Sequence, residues 1–228
     1  MTAPRMQDVD RDGALTEAVA ELYGCDRAGF IRKATLGSVG MLAILAAPSA
    51  VAAGVTDTDI LNFGLRFERL QATFYTQAEE LGTVAAMRAD KQDWARTLGA
   101  HERAHVKILK QVLGRRAEGR PFFDFGEATQ SDAAFTRTAV AMEDLTVALL
   151  TGVVPKVQNR GLTSALFGLL TVEARHAAWA RSIVGTNPAP SAFDEPRSLQ
   201  SVSGAVDRTR FIARPPRTAG RTRPGFSG

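Results

Sequence analysis

Two stretches decide the fold: Leu98-Gly99-Ala100-His101-Glu102-Arg103-Ala104-His105-Val106-Lys107-Ile108-Leu109 (98–109) and Leu169-Leu170-Thr171-Val172-Glu173-Ala174-Arg175-His176-Ala177-Ala178-Trp179-Ala180 (169–180). Each holds a glutamate three residues before a histidine. On a helix that spacing sets the two side chains about 60° apart and one turn along the same face. The flanking apolar residues share that face: Leu98 and Leu109 in one stretch, Leu169 and Ala180 in the other. Charge therefore sits on the stripe that should be buried.

Outward from these stretches the chain reads as four amphipathic helices with clear breaks. The first spans about 57–81, capped by Thr56 or Asp57 and ended by Gly82, with Leu61, Leu65, Ala72 and Tyr75 inward. The second spans 90–113 and stops at Gly114, with Trp94, Leu98, Leu109 and Val112 inward. Residues 114–131 carry glycine, proline and charge and form the longest connection, which Phe122, Phe123 and Phe125 should tuck onto the helices. The third helix spans 132–150, terminated by Gly152 and Pro155. The fourth spans 161–184, with Leu162, Leu166, Leu169, Ala180 and Ile183 inward, and stops at Gly185. Four such helices without β alternation predict an all-α four-helix bundle with a long crossover between helices 2 and 3. A short helix can form around 197–205, and the last twenty residues read as mobile.

The remaining two helices carry an acid at the matching depth. Glu68 continues the series 61, 65, 72, 75, and Glu143 lies between Ala139 and Val147. Eleven glutamates in 228 residues place one at a given offset from a histidine about one time in twenty, so two of only three histidines meeting the condition by chance is a poor account. Four carboxylates in an apolar core need a counter-charge, and no lysine or arginine shares these stripes. Two divalent cations supply it: Glu68, Glu102, Glu143 and Glu173 cancel their charge, and His105 and His176 complete the donor set. Carboxylates with imidazoles favour iron or manganese over calcium or copper. Tyr75, two turns from Glu68, can hydrogen-bond a ligand carboxylate from behind or find a backbone partner instead. Glu79, Glu80, Asp144 and Arg175 read as helix surface. His101 stands about 100° around the helix from Glu102 and reads as structural.

Composition narrows the classes. With 45% apolar and 23% charged residues and one cysteine, the chain is neither disordered nor a disulfide-stapled miniprotein. The net charge of +4 belongs to the end: Arg208, Arg210, Arg214, Arg217, Arg221 and Arg223 are six of the 28 basic residues, and 208–228 holds no acid. The other 207 residues therefore carry 22 bases against 24 acids, a balance of −2. The body is not a nucleic-acid binder. Residues 34–56 are uncharged and follow Arg27, Arg32 and Lys33, and Val39–Ala47 is an apolar run before Pro48 and Ala50-Val51-Ala52. That is the layout of a secretory signal, too interrupted for a stable membrane span. The stretch Arg27-Ala28-Gly29-Phe30-Ile31-Arg32-Lys33 resembles a twin-arginine export signal, with Ala28 where the second arginine would stand. An uncleaved N-terminal hairpin, and with it a cytoplasmic protein, is the alternative. The expected organisation is an export segment (1–53), a helical bundle (54–185) and a Pro/Arg-rich tail (186–228).

These features together resemble the ferritin-like superfamily, and most closely the bacterial ferritin-like proteins that include desiccation-related members. The resemblance rests on Phe67-Glu68-Arg69-Leu70 with Phe74-Tyr75, on His101-Glu102-Arg103-Ala104-His105-Val106, on Phe123-Asp124-Phe125, on Met142-Glu143-Asp144, and on Val172-Glu173-Ala174-Arg175-His176-Ala177-Ala178. It implies two metal ions, usually iron, at Glu68, Glu102, His105, Glu143, Glu173 and His176. Where many relatives carry a tyrosine seven residues after the third-helix glutamate, this chain has Leu150, while the first-helix counterpart Tyr75 is present. The implied activity is a ferroxidase or peroxide-consuming oxidoreductase in stress protection, acting on Fe(II) with O2 or peroxide. A non-catalytic metal-binding or structural envelope protein is the alternative. Assembly into a homo-oligomer stays open.

Overall fold

The computed structural model describes residues 55–213, so the export-like segment and residues 214–228 of the tail lie outside the described residues. Five helices and two short strands follow in order: α1 (Asp57–Glu80), α2 (Ala89–Leu113), β1 (Phe122–Phe123), α3 (Asp132–Val153), α4 (Arg160–Ile183), α5 (Leu199–Thr209) and β2 (Ile212–Ala213). Helix α1 packs along α2, and α3 along α4. Contacts of α2 with α4 and of α1 with α3 close the bundle. The arrangement is the expected all-α bundle.

Local chemistry fixes the helix ends. The Thr56 hydroxyl accepts from the Asp59 backbone N–H while the Asp59 side chain takes the Thr56 N–H, a reciprocal capping box. Ser131, Asn159 and Ser198 cap α3, α4 and α5 from one side only, each side chain accepting a backbone N–H of the first turn. The Asp57 carboxylate accepts from the backbone N–H groups of Gln158 and Asn159 at 2.9 and 3.0 Å, which ties the start of α1 to the start of α4.

The crossover is laid along α1 by side chains the sequence reading passed over. Asn62 donates to the Arg116 carbonyl and accepts from the Glu118 N–H. Arg69 donates to the carbonyls of Glu118 and Gly119, and Arg120 donates to Thr73. The chain then turns inward, where Phe125 lies edge-on to Phe74, with ring centroids 5.4 Å apart. Phe123 and Phe125 are buried, and Phe122 is exposed. The contacts advance from Asn62 to Phe74, so the crossover runs along the middle of α1 and delivers α3 to the other end of the bundle.

Three expectations need correction. Helix α3 continues through Gly152 to Val153, because this glycine meets a neighbour and does not end the helix. A Cβ there would lie 2.0 Å from the Arg197 carbonyl oxygen, and the Arg197 N–H donates to the Ala148 carbonyl at 2.8 Å. Val112 is exposed, and Leu113, one step round the helix, takes the buried place. Residues 209–213, expected to be mobile, are packed: Phe211 sits against Phe125, and Ile212 and Ala213 pair antiparallel with Phe123 and Phe122. Just before them Val202 and Val206 of α5 join the core. Helix α3 is also long and apolar enough to cross a membrane, but more than half of its apolar stretch is buried inside the molecule.

Two apolar clusters flank the bundle's middle. Leu61, Leu65, Leu109, Leu113, Leu150, Val154 and Leu166 form one. Phe74, Tyr75, Trp94, Leu98, Phe125 and Phe135 form the heart of the other. The acids of all four helices lie between them.

Candidate metal centre

Each long helix carries one carboxylate into the space between the two clusters: Glu68 from α1, Glu102 from α2, Glu143 from α3 and Glu173 from α4, all buried. One turn on from Glu102 and Glu173, the same helices add His105 and His176. The structure therefore brings together all six residues read from the sequence.

Their separations define two groups. His105 Nδ1 lies 3.2 Å from Glu68 Oε2, 3.5 Å from Glu102 Oε2 and 3.0 Å from Glu173 Oε1. His176 Nδ1 lies 3.1 Å from Glu102 Oε1, 3.6 Å from Glu143 Oε2 and 3.4 Å from Glu173 Oε2. Glu102 and Glu173 thus offer one oxygen to each group. In each set of four residues the donor atoms lie within 4.8 Å of one another, which could hold a metal ion. Donors bound to one ion at about 2.1 Å and at right angles lie about 3 Å apart, close to the spacings found here.

Hydrogen bonding leaves the centre unsatisfied. Both oxygens of Glu102, both of Glu173, Oε2 of Glu143 and Nδ1 of His176 are buried, and although imidazole nitrogens and carboxylate oxygens lie close together, none of these atoms has a partner in hydrogen-bond geometry among the described residues. Orphaned buried groups of this kind each cost about 1–3 kcal/mol, and more when charged. The residues present fit a cation.

Burial and neighbouring charges shift the proton affinities of the centre. Burial, together with the neighbouring Glu102, pushes the Glu68 carboxyl up to about 8. Burial pushes Glu143 up to about 7, against the contrary pull of His176 and of the Tyr75 hydroxyl. Burial opposes a charge on His105, but Glu102, Glu173 and Glu68 outweigh it and hold the imidazole up to about 12. Glu102, Glu143 and Glu173 do the same for His176, which rises to about 11. Protons here stand in for positive charge that the carboxylates need.

The Tyr75 hydroxyl donates to Glu143 Oε1 at 2.6 Å, so its partner is a carboxylate of the centre and not the backbone. Its ring is edge-on to Phe74, Trp94 and Phe135. Asp144 pairs with Arg181 at 2.8 Å, away from the centre, and Arg175 and Glu80 are exposed. Glu79 is half-buried and pairs with Arg103.

His101, read as structural, reaches the edge of the centre. Its Nδ1 lies 2.9 Å from His176 Nε2, with the two rings nearly parallel. Measured from Glu102 it is about 100° away, but measured from His105, four residues on, it is only about 40° away and one turn along. The signal was the H-E-x-x-H spacing itself, read from the wrong reference residue.

No curated protein matches the chain at a significant level. The model of the ferritin-like domain family matches residues 56–186, from the cap of α1 to just past the end of α4. That match spans more than half of the chain and contains all six converging donors, and the chain belongs to the ferritin-like domain family.

Proposed function

We propose that this chain binds two transition-metal ions, iron with manganese as the alternative, and works as an oxidoreductase on Fe(II) with O2 or peroxide. The observation that carries this reading is the set of buried donor atoms without partners that face one another at ion-binding separations. One ion would be held by Glu68, Glu102, His105 and Glu173, the other by Glu102, Glu143, Glu173 and His176. A bound Fe(II) pair supplies two electrons, one from each ion on oxidation to Fe(III), which with two protons reduce O2 to H2O2 or H2O2 to water.

The chain's own residues do the rest. Glu102 and Glu173, which offer one oxygen to each group, would serve both ions. Tyr75, whose burial keeps its hydroxyl protonated well above the usual range, remains a donor that orients Glu143. Leu65 and Leu98, fully buried on either side, exclude bulk water. The protons held on Glu68, Glu143, His105 and His176 leave as the ions enter, so uptake releases acid. The role that fits is protection against oxidative or desiccation stress in the periplasm or cell envelope. The address rests on the N-terminal sequence alone, with the cytoplasm as its alternative.

The test is metal analysis of the purified chain, then anaerobic Fe(II) loading and exposure to O2 or H2O2. The expected result is two iron atoms per chain, a visible absorption band on oxidation, and repeated oxidant consumption when Fe(II) is resupplied. Two bound ions without repeated consumption would leave a metal-binding or structural envelope protein. Metal content in Glu102→Ala and His176→Ala equal to that of the unaltered chain would overturn the reading.

A further inference from the structure

We propose that His101 is a positioning residue for the metal centre: its Nδ1 accepts the Nε2–H of His176 and thereby holds the His176 ring with Nδ1 facing Glu102, Glu143 and Glu173. The inference rests on the metal-binding reading of those residues. It follows from valence and geometry. An imidazole that gives a cation the lone pair of Nδ1 carries its proton on Nε2. In His176 that Nε2 lies 2.9 Å from His101 Nδ1, so His176 donates and His101 accepts. The ring centroids are 5.2 Å apart with an 18° angle between planes, so the two rings meet nearly edge to edge in one plane. Outer partners of this kind set the orientation and basicity of a ligating histidine.

His176 itself is buried and has little freedom to find another partner, whereas His101 is exposed on the outer side of the pair. The contact is the link from the centre to the surface on the α2–α4 side. Among the described residues His105 has no such partner. Its Nδ1 contacts Glu68, and among the described residues no group hydrogen-bonds its Nε2. The two ion groups are therefore supported unequally, and a change at His101 should weaken one and spare the other.

Co(II) titration of the full chain, followed by visible absorption, separates these cases. The unaltered chain should take up two Co(II) ions tightly. In His101→Ala and in His101→Phe, which keeps a ring without an acceptor, one ion should remain tight and the other weaken about 10-fold or more. His101→Asn places an oxygen near the site of Nδ1 and should restore the second ion. If His101→Ala fails to fold, the Phe and Asn variants carry the comparison, with urea midpoints as the control. Two equally tight ions in the Ala and Phe variants would overturn the positioning role while leaving the metal centre intact. An unaltered chain that takes up no Co(II) would overturn both. A loss in stability shared by Ala, Phe and Asn, with unchanged Co(II) binding, would make His101 structural only.

Discussion

The bundle's middle and its aromatic end are built on the same helices, yet they are held together by opposite means. At the aromatic end Phe135 stacks on Phe74 with centroids 4.9 Å apart and meets Tyr75 and Trp94 edge-on at 5.5 and 5.8 Å. Those contacts need nothing from outside the chain. One layer on, four carboxylates and two imidazoles occupy the same cross-section, and many of their polar atoms have no partner. The contrast teaches that one part of this core is finished by folding, while the next presents donor atoms that a cation could complete. A sequence selected for stability alone would fill the second layer as it fills the first.

Truncating the aromatic layer sharpens the comparison most. Phe135→Ala removes a fully buried ring from the hub of three others and should cost about 3–5 kcal/mol. Because this layer owes nothing to metal, the loss should be the same in the metal-free and loaded protein, read as parallel shifts of the urea midpoint. A loss confined to the metal-free form would break the proposed independence of the two layers.

The acidic layer should answer to pH and metal instead. Folded Glu68 and Glu143 keep their protons to about 8 and about 7, from an ordinary 4.5. Above 4.5 the unfolded chain therefore binds fewer protons than the folded one, and stability falls as pH rises. His105 and His176 act with the same sign, since their raised values make stability present below 6.5 and lost as pH climbs towards 11 or 12. The metal-free chain should thus have a lower urea midpoint at pH 8 than at pH 5. Ions displace these protons, so the gain on loading should widen over the same range, reaching about 2.7 kcal/mol per site at a hundredfold excess over Kd. A metal-free midpoint that rises from pH 5 to pH 8 would contradict the account of this layer.

Much of this contrast was legible in the sequence, and the part that was not has a physical cause. Helical periodicity located the four helices to within a few residues, and the E-x-x-H pairs put Glu102, His105, Glu173 and His176 on inner stripes. Periodicity reads one helix at a time, however. It gave Gly152 as a helix end because it could not know that the Arg197 backbone would lie against it. It missed Asn62 and Arg69, which hold the crossover through contacts some fifty residues away in sequence. It left the partner of Tyr75 undecided, since nothing along α1 places Glu143 of α3 beside that hydroxyl. The spacing on α2 placed His101 one turn from His105, but it could not show that its ring meets His176, 75 residues away on α4.

Tyr75 is where the two layers are joined, and it allows the finest test of where one stops. Its ring belongs to the aromatic set and its hydroxyl to the acidic one, donating to Glu143 at 2.6 Å. Tyr75→Phe keeps the ring and removes only the bond, so the apolar layer should not register it. The stability change in the metal-free chain should be about 1–3 kcal/mol, the cost of leaving the buried Glu143 oxygen without its donor. Metal affinity should respond too, because Glu143 loses the donor that fixes it: about a 10-fold weakening of the ion shared with His176, measured by competition with a chromophoric chelator. The ion shared with His105 uses Glu68 in place of Glu143 and should be unaffected. If both ions weaken alike, Tyr75 acts through the packing of the whole bundle, and the boundary between the layers lies elsewhere than at this hydroxyl.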